Sequence, residues 1–171
     1  MITMTPIASF DAGFLHPLLG LDHQLAMIAV GVWSGQIGGK MIWTAPLGFM
    51  AMMAVGGALG MAGVPFPFVE GGIIASIILF GCLIASAYNP SPWAGAAAVG
   101  AFALFHGHAH GVEMQDGNLG LWYAVGFVLA TGMLHLTGIA LYKALEWRHL
   151  ERFVRWIGVG ISLAGIGLVF V

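Results

Sequence analysis

Five stretches of this chain carry no Asp, Glu, Lys or Arg: residues 23–39, 41–69, 71–112, 117–142 and 156–171. A helix that crosses a bilayer needs about 20 mostly apolar residues, so each run has room for one span or more. Charged residues make up 7% of the 171 and hydrophobic ones 60%, against about 25% charged in soluble domains. A water-soluble globule of this composition would lack the polar side chains to cover its surface. Five basic residues and a net charge of −2 are too little to track a phosphate backbone, which excludes a nucleic-acid binder. The single cysteine, Cys82, excludes a disulfide framework.

The run over 71–112 is about twice the length one span requires. Asn89-Pro90-Ser91-Pro92 divides it, a helix stop followed by a turn. The expected fold is therefore all-α, a single domain over 1–171. It is a polytopic membrane bundle of six transmembrane helices near 17–39, 42–63, 69–88, 92–112, 119–143 and 153–171. The polar/apolar alternation of a closed membrane barrel is absent from the sequence. Glycines recur four apart at Gly31/Gly35/Gly39, Gly56/Gly60 and Gly107/Gly111, the spacing that lets helix backbones approach closely in lipid.

With six spans, the loops after the first, third and fifth share one side. Lys40 lies in the first of these loops, and Lys143, Arg148, Arg152 and Arg155 lie in or beside the last. All five basic residues then fall on one face, which the positive-inside rule assigns to the cytoplasm. Asp11, Asp22, Glu70, Glu113 and Asp116 fall at or near the other face, and both termini are expected to be periplasmic. Residues 1–10 are too short and too little apolar for a secretory leader.

Ionisable groups within spanning helices mark a pathway or a site, and two clusters qualify. The first is His16-Pro17-Leu18-Leu19-Gly20-Leu21-Asp22-His23. With Pro17 at the first helical position, His16 and His23 lie seven apart on nearly one face, and Asp22 enters the apolar run. Two imidazoles and a carboxylate suit a first-row divalent metal; the competing reading is a capped helix terminus at the headgroups. In the second cluster, Phe105 to Glu113, His106, His110 and Glu113 stand at i, i+4 and i+7 on one face, and His108 points the opposite way. Its competing reading is a His-rich surface loop. In the six-span topology both clusters and Glu70 lie at the outer ends of their helices, as one inter-helix site requires. Glu70 reads either as a solvated loop acid or as an inward-facing one. His135, inside the fifth span, reads either as hydrogen-bonded to a neighbouring helix or as a ligand on a transit path.

HPLLGLDHQLAMIAVGVWSGQIGG and FHGHAHGVE resemble the two signatures of the HupE/UreJ family of nickel/cobalt transporters, roughly H-x5-D-H and F-H-G-x-A-H-G-x-E. Every signature position matches, and the intervening spans agree in order. The resemblance implies secondary uptake of Ni²⁺, sometimes Co²⁺, for maturation of a metalloenzyme such as hydrogenase or urease. By motif position it carries the ligand role to His16, Asp22, His23, His106, His110 and Glu113. It also makes Glu70 an acid of functional importance and Phe49 an aromatic on the permeation route. Family members usually begin with a cleaved leader and a His-bearing mature end, neither of which is visible before Phe10.

The expected protein is a permease of the bacterial inner membrane. Its partners are a divalent metal ion and the lipid bilayer, and its cargo is Ni²⁺ or Co²⁺ with no prosthetic group. The G-x-x-x-x-G-K-[ST] pattern of ATP-binding loops is absent from the sequence, and no enzymatic activity is expected. The rival readings are a b-type haem redox protein, with iron between His106 or His110 and His135, and a non-transporting metal-sensing accessory subunit.

Overall fold

The computed structural model describes residues 4–114 and 118–170; Asp116 lies outside them. The described residues form seven helices and no strand. In chain order they are α1 (Pro6–Leu19), α2 (Leu21–Ile37), α3 (Met41–Met61), α4 (Val69–Ser86), α5 (Pro92–Glu113), α6 (Gly120–Trp147) and α7 (Glu151–Leu168).

The local signals that start and stop these helices are ordinary ones. Thr5 accepts a hydrogen bond from the Ala8 amide and Pro6 follows it; Ser91 accepts one from the Ala94 amide and Pro92 follows. Gly38 and Gly39, both at positive φ, turn the chain between α2 and α3. Ala87 in the left-handed region closes α4 ahead of the Asn89–Pro92 turn.

The first expected span is where the sequence reading needs correction. It placed Pro17 at the first helical position of one helix over 17–39. Instead α1 starts at Pro6, contains Pro17 in its interior, and is bent by 78° from α2 at Gly20. The same cue, a capping side chain followed by proline, operates eleven residues earlier at Thr5-Pro6. Pro17 has no amide hydrogen, so it makes no bond to the turn before it. Gln24 Nε2 then donates to the Leu18 carbonyl at 2.7 Å, satisfying one of the acceptors that the end of α1 leaves open. His16 and His23 therefore sit on two helices that meet at an angle, not on one helical face.

α2 is the hub of the bundle. Ala26, Met27 and every residue from Ala29 to Gly35 are buried, as expected for a helix surrounded by others. Around it, α3 pairs with α5, α4 with α7, and α6 with both α1 and α2. Each pairing is a close glycine contact. A Cβ on Gly56 or Gly60 would fall on the Leu104 or His108 carbonyl oxygen, and one on Gly107 or Gly111 would fall on that of Met53 or Gly57. Gly31 faces the His135 carbonyl, Gly138 that of Ile28, Gly126 that of Phe10, and Gly81 packs against Ser162 and Gly158. The expected small-residue spacing thus serves packing at Gly31, Gly56, Gly60, Gly107 and Gly111. Gly39 differs: its φ is +55° with open space around it, so it serves the turn.

α3, α4 and α6 are each long and apolar enough to cross a membrane, and α1 with α2 add a fourth crossing if the bent pair is one span. α5 dilutes its hydropathy with glycine and histidine, and α7 opens on Glu151, Arg152 and Arg155. Large apolar side chains face outward on several helices, among them Trp43, Leu47, Trp93, Leu129, Leu136, Trp156 and Leu163.

Candidate metal centre

Three helices, α1 and α2 consecutive and α5 remote in sequence, deliver imidazoles to one point. α1 carries His16 in its last turn, α2 carries His23 in its first, and α5 brings His110 from its last turn. One ring nitrogen from each lies within 4.8 Å of the other two. Ring centroids are 4.3 Å apart for His23 and His110, 4.8 Å for His16 and His110, and 5.6 Å for His16 and His23. Imidazole nitrogen binds a first-row ion such as zinc at about 2.0–2.1 Å, so three donors spread evenly around one ion stand at most about 3.6 Å from one another. Donors at the 4.8 Å limit need to close by about 1.2 Å or more to share an ion.

Carboxylates flank the imidazoles. Asp22 Oδ1 lies 2.5 Å from His23 Nδ1, an approach without hydrogen-bond geometry. Glu113 Oε2 lies 3.5 Å from His16 Nε2 and 3.7 Å from His110 Nδ1. Asp22 also occupies the first turn of α2, where the helix dipole favours a negative charge. Both carboxylates are partly exposed, whereas His23 and His110 are buried. The centre is thus a mouth with charge at its rim and nitrogen inside. Tyr123 and Phe127 of α6 close one wall, with the Phe127 ring 4.3 Å from that of His110. A cavity of about 90 Å³ lined by Met53, Met61, Met114, Tyr123 and Phe127 reaches His110 between α3, α5 and α6.

Both nitrogens of His23 and both of His110 are buried without a hydrogen-bond partner. Leaving such an atom unsatisfied costs about 1–3 kcal/mol, so nitrogens grouped in this way are candidate ligand donors.

His106 lies one turn deeper on α5, with its ring 5.9 Å from that of His23. The Ser76 hydroxyl donates to the Ile73 carbonyl at 2.6 Å. Its oxygen is therefore free to accept from His106 Nε2, 2.9 Å away, which leaves the buried, unpartnered Nδ1 of His106 as a lone-pair donor. Ser76 was not singled out from sequence. The available signal was a lone hydroxyl in the middle of the otherwise apolar run of α4.

The remaining expected residues divide. His108 points away from the centre, as its position on the helix indicates, and donates from Nε2 to the Val64 carbonyl at 2.7 Å. Glu70 is exposed in the first turn of α4. Among the described residues no hydrogen bond or ion pair joins it to the histidines. Phe49 is fully buried, with its ring 5.5 Å from that of His106 and 5.1 Å from that of His135. His135 makes no hydrogen bond through either ring nitrogen, so the reading of it as a partner bonded to a neighbouring helix does not hold.

Comparison with known proteins bears on what this constellation is. Residues 2–168 match the family described as HupE / UreJ protein. Over 159 residues the chain is 42% identical to Protein HupE of Rhizobium leguminosarum bv. viciae, an alignment covering 92% of this chain and 83% of that protein. No solved structure matches. With the family match running through every helix described above, the chain belongs to the HupE/UreJ family.

Proposed function

We propose that the protein is a secondary permease that takes up Ni²⁺, with Co²⁺ as an alternative cargo, across the bacterial inner membrane. The observation that carries this reading is the convergence of His16, His23 and His110 from three separate helices, one donor nitrogen from each within 4.8 Å of the others. A dication leaving water for a low-dielectric interior needs compensating charge, and Asp22 and Glu113 stand beside the three rings to supply it. The ion exchanges part of its water shell for imidazole nitrogen at the mouth, His106 receives it one turn deeper, and a rearrangement of the helices opens the path inward. Glu70 precedes Ser76 by six residues, about 9 Å along α4, and acts as a rim acid that draws dications toward the mouth. Selection of nickel over copper or zinc rests on geometry and availability, since affinity alone favours copper.

The same reading makes all six long units spans, with α1 and α2 together forming the first. α5 is held against α3 by glycine contacts from Gly56 to Gly111, and α7 against α4 by Gly81, Gly158 and Gly165, so neither leaves the depth of its partner. Both termini then face the periplasm and the basic turns face the cytoplasm. A haem between His106 and His135 is disfavoured because the Phe49 ring occupies the gap between them.

The test is radiolabelled nickel uptake by cells expressing Asp22→Asn or His23→Ala, scored against surface expression. Near-complete loss in both is expected; unchanged uptake in both ends the proposal. Uptake into liposomes containing only this chain separates a permease from an accessory sensor.

A further inference from the structure

His135 is enclosed on all sides, 1% exposed, and bonded through neither ring nitrogen. Buried polar groups in proteins are ordinarily satisfied, and an ionisable side chain at membrane depth is retained where it serves a path or a site. Thr131, one turn earlier on α6, does not satisfy it, because the Thr131 hydroxyl is directed at Met53 Sδ, 3.8 Å away. On α2 the nearest approach is backbone to backbone, where Gly31 abuts the His135 carbonyl. His135 follows Phe127, which walls the outer centre, by eight residues on one helix, about 12 Å of depth. Between the two levels stand His106, one turn below His110, and Phe49, whose ring touches both His106 and His135.

We propose that His135 is an inner metal station for the transported dication, separated from the outer centre by the Phe49 ring. This rests on the permease reading above and extends it by a second site. A single imidazole completed by water or carbonyl oxygen suits a transit position, since an ion that must leave cannot be held by a full ligand set. Phe49 then acts as the barrier that keeps the two stations from joining into a continuous pore. Movement of the Phe49 ring lets an ion pass from His106 Nδ1 to His135.

Two variants test this, both in a Cys82→Ser background. His135→Ala is expected to lower nickel uptake about tenfold or more, while the purified protein still binds Ni²⁺ with near wild-type affinity through its outer centre. His135→Cys replaces a borderline ligand with a soft one, so its residual uptake is expected to be blocked by Cd²⁺ at concentrations that leave the Cys82→Ser parent unaffected. A merely structural histidine would not confer that cadmium sensitivity. Wild-type uptake in His135→Ala, or identical cadmium responses in His135→Cys and the parent, overturns the inner station. Failure of the outer centre is read separately: there His23→Ala keeps both nickel binding and uptake, whatever His135 does.

Discussion

At the scale of single residues, the histidines differ in what each hydrogen bond commits. Ser76 fixes His106 with its proton on Nε2, and the Val64 carbonyl does the same for His108. The two rings stand two residues apart on α5, yet only His106 is turned toward His23. Orienting partners of this kind typically tune metal affinity by about 10–100-fold. Ser76→Ala is therefore expected to weaken nickel binding by about tenfold, and Ser76→Thr, which keeps the hydroxyl, to preserve it; equilibrium binding to the detergent-solubilised protein measures both. Equal affinities for the wild type and Ser76→Ala would remove His106 from the ligand path. The i, i+4, i+7 stripe of His106, His110 and Glu113 was legible in the sequence because helical periodicity is a local property. The hydroxyl that sets the tautomer was not, because it arrives from another helix thirty residues away.

At the scale of elements, the break at Gly20 decides how the centre is assembled. A Cβ there would lie 2.9 Å from His23 Nδ1 and 3.0 Å from Asp22 Oδ1, closer than side chains tolerate. Gly20→Ala should displace the imidazole and the carboxylate together and reduce nickel uptake with little loss of folded protein; full uptake would show that the bend tolerates a side chain. The seam between α3 and α5 responds differently. Gly107→Val puts a side chain onto the Met53 carbonyl, and overpacking of this kind costs about 1–3 kcal/mol, which thermal unfolding in detergent should register as a clear drop in Tm. Gly39→Ala, in open space at positive φ, should cost only about 1 kcal/mol. The glycine repeat was readable as a packing signal, yet the sequence could not tell Gly60, which packs, from Gly39, which turns.

Across the whole molecule, the clustered imidazoles of His16, His23 and His110 lie at one end and the basic residues at the other. Lys40, Lys143, Arg148, Arg152 and Arg155 lie in or beside the turns α2–α3 and α6–α7. At the same end Arg155 Nε donates to the Ala85 carbonyl at 2.7 Å and Trp33 to that of Tyr88 at 3.1 Å. The six-span arrangement expects Ala62→Cys, in the exposed turn after α3, to react with a membrane-impermeant maleimide added to intact cells, and His149→Cys, in the turn after α6, to react only after lysis. Labelling of both from outside would refute that topology.

Taken by itself, the sequence determined the helical class, the apolar length that suits several helices to a bilayer, the approximate bounds of five helices and the residue types that converge in the candidate centre. Charge-free length, caps, prolines and ligand spacing are all read within a few turns of chain. Tertiary structure alone decided that the first expected helix breaks at Gly20, that His16 and His23 reach His110 from different helices, and that the Phe49 ring lies close to both His106 and His135. Those facts depend on distances between helices, which are set where glycines far apart in sequence let two backbones touch, and no local pattern records which backbone the partner will be.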